Sequence, residues 1–157
     1  MVFKGAKMNL GFFVQNTSQA SLNSEIFSLL NDSVENHTVN DATLFYNEID
    51  FNPALDNKKF GLFNATEMWS FTGTLVVSSL NLLPLAAEVV NKIKIVYLYT
   101  KDNFQYGDIP SVMDLISLPD EIKRVARSEE DAKEYKRLTG KDIEVIKAFN
   151  AKEILEV

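Results

Sequence analysis

The chain has no cysteine and a single histidine, His37, among its 157 residues. Without cysteine there is no disulfide framework, no thiolate nucleophile and no zinc–thiolate site. One histidine cannot build a multi-histidine metal site. His37 also lies in a polar run, with no partner at the spacing of a catalytic triad, so we predict a surface side chain. The sequence therefore predicts neither a bound metal nor a cofactor.

Basic residues are fewer than acidic ones: the chain has 16 Lys and Arg and 22 Asp and Glu, which gives a formal net charge of −6. A negative balance disfavours binding to nucleic acids and to anionic membranes. No run reaches the roughly 18 apolar residues of a membrane span. The apolar stretch near the start is too short for a signal peptide. We predict a cytoplasmic protein that binds no nucleic acid.

Hydrophobic residues make up 46% of the chain, which suits a single Rossmann-like domain over residues 1–157. Short apolar runs alternate with helical patterns, and such runs are typical of a parallel sheet covered on both faces. The expected fold is therefore an α/β three-layer sandwich, with a mostly parallel sheet of about six strands and helices on both faces. The predicted strands are residues 8–14, 41–49, 59–65, 94–100, 122–128 and 142–149. The main predicted helices are residues 19–35, 74–83, 84–91, 111–117 and 129–140.

Ligands of open parallel sheets bind outside the carboxyl ends of the strands. The predicted strand ends carry amides, hydroxyls and carboxylates, which can bond sugar hydroxyls in pairs. The alternative is the ordinary polarity of loops. Trp69 is either an aromatic platform for a ligand or an anchor in the core. The candidate ligand-binding residues at these ends are Asn16, Asn64, Trp69, Lys101, Arg127 and Ser128.

Phosphate binding calls for a glycine-rich turn or free amides at a helix N-terminus. The first predicted strand–helix turn, VQNTSQAS, has no glycine and matches neither dinucleotide nor P-loop patterns. Gly73 is a further ligand-binding candidate, because it is predicted to open a helix and lets a ligand approach the backbone. The helix after Arg127 and Ser128 begins with three acidic residues, so self-capping is the alternative there.

Two carboxylates are candidate general bases, Glu67 and Asp102. Both lie at or near predicted strand ends, where a carboxylate could accept the proton of a reacting hydroxyl. The sequence alone does not place either within working distance of the other residues.

Three segments together resemble the N-terminal, acceptor-side domain of GT-B glycosyltransferases. They are FNATEMWSFTGTLVVSSL (63–80), KIVYLYTKD (94–102) and RVARSEEDAKEYKRLTGKDIEVIKAFNAKEIL (124–155). Near the end of that domain a Ser follows a strand, as Ser128 does here, and a Pro-Asn-Gly-type turn follows the next strand. Residues 149–151 match this turn only loosely, because the Pro and Gly are missing. The W-S-F-x-G segment also resembles uncharacterised glycosyltransferase-like proteins of marine phages.

The resemblance implies a glycosyltransferase-like domain that binds a sugar, a nucleotide-sugar or a glycosylated acceptor at the carboxyl edge of the sheet. An inverting transfer would use Glu67 or Asp102 as base. GT-B enzymes hold the donor mainly in a second domain, which has no counterpart in this chain, so a homodimer or a partner chain would complete the site. The alternative is a non-catalytic Rossmann-like interaction module.

Overall fold

The computed structural model describes residues 8–104 and 108–157. Its strands form one sheet of seven in the order β3-β2-β1-β4-β5-β6-β7, and every neighbouring pair is parallel. The strands are β1 Leu10–Asn16, β2 Ala42–Glu48, β3 Gly61–Asn64, β4 Gly73–Val77, β5 Ile93–Tyr99, β6 Lys123–Ala126 and β7 Glu144–Val145. The α-helices are α1 Ser21–Glu35, α2 Leu83–Ala87, α3 Ile109–Ile116, α4 Glu129–Thr139 and α5 Ala151–Leu155. Short 3-10 helices cover Pro53–Asn57, Ala65–Ser70 and Leu80–Leu82.

The sheet separates two hydrophobic clusters, one on each face. Helices α1 and α5 cover the first face, and α2, α3 and α4 contribute to the second. Phe12 and Phe13 are neighbours in β1 and both are fully buried, because successive side chains point to opposite faces of a sheet. The predicted α/β, three-layer, Rossmann-like fold is confirmed, with seven strands where the sequence predicted about six.

The helix predicted over residues 74–83 is wrong. Its first half forms β4, which lies in the middle of the sheet between β1 and β5. Leu75 and Val76 point to opposite faces and are both buried. Helical structure resumes only after Ser79, with a 3-10 turn followed by α2. Gly73 therefore opens a strand at the amino edge of the sheet rather than a helix.

The last predicted strand, residues 142–149, is also shorter than expected and keeps only Glu144–Val145. The backbone N–H groups of Lys147, Ala148 and Phe149 donate to the carboxylate of Glu153 instead of to a neighbouring strand. The chain is thereby turned out of the sheet and into α5. Residues 105–107, which precede α3 in the sequence, lie outside the described part of the chain.

The sheet has a switch point between β1 and β4. From β1 the chain builds outward through β2 to β3, and it then returns to place β4 on the other side of β1. The connections that follow β1 and β4 therefore run to opposite faces, which leaves a crevice at the carboxyl ends of these strands.

Tyr97 makes the fold sensitive to alkaline pH. Burial, with smaller contributions from Tyr99 and Tyr135, raises the pKa of Tyr97 far above its usual value of 10.0. The unfolded chain releases this proton first, so stability is present below pH 10 and is lost as the pH rises. We expect wild type to lose about 1.4 kcal/mol more per pH unit above 10 than Tyr97→Phe does. Urea unfolding of wild type and Tyr97→Phe between pH 9 and about 11.5 measures these slopes.

Candidate functional site

Two adjoining cavities of about 520 and 600 Å³ form a crevice at the carboxyl edge and share Asp102 and Asn103. We call them the α1 cavity and the α3 cavity. The α1 cavity is lined by Ala20, Ser21, Leu22, Glu25, Thr100, Asp102, Asn103, Arg127, Ser128 and Asp131. The α3 cavity is lined by Gln15, Asn16, Ser79, Leu80, Asn81, Pro84, Asp102, Asn103, Phe104, Ser111 and Asp114. The crevice thus spans the switch point, where the fold leads us to expect a ligand.

The turn after β1 is stiffened by side-chain amides in place of glycine. The Asn16 side chain accepts from the Ser18 N–H at 3.1 Å, which closes a tight local turn. The buried Asn23 and Asn52 side chains donate to backbone carbonyls of the same turn, and both reach Ser18. This turn is therefore rigid, and Asn16 is held where it lines the α3 cavity.

Asp131 anchors the loop that carries Asp102 and Asn103. Its carboxylate is 7% exposed and accepts from the Lys101 N–H at 2.9 Å and from the Ser128 hydroxyl at 2.8 Å. Ser128 in turn accepts from the Asp131 N–H, which caps α4. The self-capping alternative thus describes this helix start, and Ser128 is committed to the cap.

Lys101 and Arg127, the two basic residues predicted at this edge, each form an ion pair with a glutamate. Lys101 makes an ion pair with Glu130 at 3.0 Å, which raises the pKa of the lysine. Arg127 donates to both carboxylate oxygens of Glu25, at 2.8 and 3.2 Å, and its guanidinium lies 4.5 Å from the Phe149 ring centroid. Arg127 is the only cation among the described residues that line the crevice. The crevice therefore presents amides, hydroxyls and carboxylates, which suit a neutral hydroxylated ligand better than a phosphate.

Asn64 and Trp69 lie apart from the crevice, in a groove of about 350 Å³ next to α2. The Asn64 side chain caps the 3-10 helix Ala65–Ser70 by accepting from the Thr66 N–H. Trp69 is 69% exposed, so it is not a core anchor, and it lines this groove together with Asn47 and Glu88. The platform alternative for Trp69 stays open in this separate groove.

Glu67 and Gly73 lie toward the amino edge of the sheet. Glu67 lines a cavity of about 440 Å³ together with Asn9, Asp41 and Thr72, none of which lines the crevice. Gly73 starts β4 next to Asn9. Of the predicted site residues, the structure brings Asn16, Asp102, Arg127 and Ser128 together, with Lys101 next to Asp102. It does not bring Asn64, Trp69, Glu67 or Gly73 to them.

No protein-family model, curated protein or solved structure matches this chain. Over residues 8–104 and 108–157, no helix is both long and apolar enough to cross a membrane. The same residues contain no group of three or more acidic or histidine side chains placed to hold a metal ion. His37 is exposed, as predicted. The chemistry of the crevice is thus the main basis for inferring function.

Several polar residues of the crevice were not predicted from the sequence. Asn103 donates to the Ser78 carbonyl at 3.1 Å, and Asn81 donates to the Gln15 side chain at 3.2 Å. These contacts join the ends of β1, β4 and β5. One sequence signal could have identified this part of the crevice. The polar pair Ser78-Ser79 directly follows the run that forms β4, and it marks the carboxyl end of a strand once that run is predicted to be a strand. The polar residues of the α3 cavity that the sequence did not single out are Ser79, Asn81, Asn103, Ser111 and Asp114.

Proposed function

We propose that the crevice binds a sugar or a glycosylated acceptor, as expected of a glycosyltransferase-like domain. The observation that carries this proposal is the lining of the crevice, in which amides, hydroxyls and carboxylates converge from four strand ends around Asp102 and Asn103. Sugar hydroxyls both donate and accept, so a mixed set of donors and acceptors matches them. A nucleotide-sugar has less support, because Arg127 is already paired with Glu25.

Asp102 is the residue we propose as general base. It lines both cavities, and within the described residues it forms no hydrogen bond or ion pair that would occupy its carboxylate. A base must lie within hydrogen-bond reach of the hydroxyl that it deprotonates, and a sugar bound across the junction would meet this condition. Glu67 lies in another cavity and has no part in this proposal.

The proposal is tested by titrating the protein with methyl glycosides of glucose, galactose and mannose and with nucleotide-sugars, followed by amide NMR. We expect at least one methyl glycoside to shift the Asn16, Ser79 and Asn103 signals. Asn103→Ala should weaken binding about tenfold, because one to two hydrogen bonds are lost. Asn91→Ala, outside the crevice, is the matched control. Absence of any shift across the panel would contradict sugar binding.

A second candidate function, the interaction module, is favoured by an apolar stripe on α3. Ile109, Met113 and Ile116 lie on one helix face at spacings of four and three, and the first two are 75% and 61% exposed. Asp108 and Asp114 are acidic neighbours on the same helix segment, so a second copy would oppose like charges. The surface instead fits a partner segment with apolar side chains flanked by basic ones.

This candidate is tested with an amphipathic Leu/Lys peptide and its Leu/Glu counterpart by fluorescence anisotropy. Met113→Asp should weaken Leu/Lys binding at least tenfold, since an apolar side chain that the bound peptide would bury is replaced by a charge. Val90→Asp should have no effect, because Val90 is an exposed apolar residue, at 94%, that lies outside α3. Equal binding of the Leu/Glu peptide would contradict the charge argument, and a dimer in light scattering would contradict a basic partner.

A further inference from the structure

An apolar groove of about 350 Å³ lies between α2 and α3, beside the crevice. It continues the α3 cavity, because Leu80, Pro84 and Asp114 line both. The chain thus exposes one continuous surface whose lining changes from polar to apolar across these three residues. The remaining lining residues of the groove are Leu83, Ala87, Ser117, Leu118, Pro119 and Ile122.

One wall of the groove is held in place by Arg124. Its guanidinium donates to the carbonyls of Leu118 and Pro119, at 2.8 and 2.6 Å. The hydroxyl of Ser117 donates to the Met113 carbonyl, which fixes the end of α3. Because these side-chain to backbone bonds hold the wall in place, the groove is preformed. A preformed apolar groove gains affinity for an apolar group without an ordering cost.

The charges around the groove limit what it can accept. Among the described residues that line the groove, Asp114 is the only charged one, and the α3 cavity contributes Asp102 on the polar side. No described lysine or arginine lines the groove or the α3 cavity. A ligand with a carboxylate or phosphate at the junction would face these acids, whereas a neutral sugar would not.

We propose that the ligand is a neutral amphiphile, a glycoside whose sugar occupies the crevice and whose alkyl or aryl aglycone occupies the α2–α3 groove. This inference rests on the proposed sugar binding and adds the chemical class of the acceptor. The apolar group explains why the groove opens directly into the sugar-binding surface through Leu80 and Pro84.

The test compares methyl glycosides, the matching hexyl glycosides below their micelle concentrations, and 1-hexanol, by isothermal titration of the full chain. Burial of two methylene groups is enough for about a tenfold gain in affinity. We therefore expect each hexyl glycoside to bind at least tenfold more tightly than its methyl counterpart. Ala87→Asp and, independently, Ser117→Trp should abolish that gain and leave methyl glycoside binding unchanged. Val90→Asp, outside the groove, is the control.

The outcomes separate the two proposals. If methyl glycosides bind as tightly as hexyl glycosides, the proposal of an amphiphilic ligand is overturned and the proposal of sugar binding is retained. Hexanol that binds as tightly as the hexyl glycosides would overturn sugar recognition in the crevice. If hexyl glycosides still bind more tightly than methyl glycosides in both groove variants, the alkyl group binds elsewhere and the assignment of the groove is overturned. No binding by any of the three ligand types would overturn both proposals.

Discussion

Replacing Gly73 with alanine is expected to destabilise the fold by about 3 kcal/mol or more. Gly73 has φ +125°, a conformation that side chains rarely adopt, and a Cβ there would lie 2.4 Å from the Asn9 carbonyl oxygen. Backbone strain and overpacking each cost about 1–3 kcal/mol. The Asn9 backbone cannot move away without breaking a hydrogen bond, because its carbonyl accepts from the Thr74 N–H and so joins the start of β1 to β4.

Gly140 provides a matched control for Gly73. It also has a positive φ, +73°, but no atom lies within 4 Å of the position that a Cβ would take. Gly140→Ala should therefore cost only about 1 kcal/mol, the conformational part of the penalty. Urea denaturation of both variants gives the two values. If Gly73→Ala lost no more stability than Gly140→Ala, the close approach of β4 to Asn9 would not hold.

The fold class was predictable because most strands and helices carry clear local signals. Helix α4 is one example: the sequence predicted a helix over residues 129–140, and the structure has Glu129–Thr139, capped by Ser128 and followed by Gly140 in the left-handed conformation. Strand β4 was missed for a physical reason. A central parallel strand is buried on both faces, so residues 74–77 form a plain apolar run without the alternation that identifies strands. Periodicity could not distinguish that run from a buried helix.

The candidate site was predictable only in part, because it depends on the order of strands in the sheet. Polar residues at the ends of β1, β5 and β6 were identified from the rule for parallel sheets. Asn64 ends β3, at the far edge of the sheet, so the same rule selected a residue that does not reach the crevice. The side chains contributed by α3 and by the 3-10 helix after β4, such as Asp114 and Asn81, become site residues only when β4 is placed beside β1.

Asp131→Ala is expected to destabilise the protein by about 3 kcal/mol or more and to weaken binding in the crevice. The buried carboxylate is the acceptor for the Lys101 N–H and the Ser128 hydroxyl, and hydrogen bonds to charged groups contribute about 1.5–3 kcal/mol each. Lys101 immediately precedes Asp102 and Asn103. Without the hydrogen bond from the Lys101 N–H to Asp131, the loop that carries Asp102 should become more mobile. Both the free energy of unfolding and the affinity for the glycoside should then fall.

Glu130→Gln is the matched control, because it alters the neighbouring carboxylate, which also contacts Lys101. That contact is an exposed ion pair with the Lys101 side chain, and such pairs contribute about 0–1 kcal/mol. We expect Glu130→Gln to match wild type in urea denaturation and in glycoside titration. Asp131→Asn should fall between wild type and Asp131→Ala, since its single amide oxygen keeps one of the two acceptors. Crevice affinity that is unchanged in Asp131→Ala would mean that Asp102 and Asn103 are positioned by the Thr100 and Ser78 contacts alone.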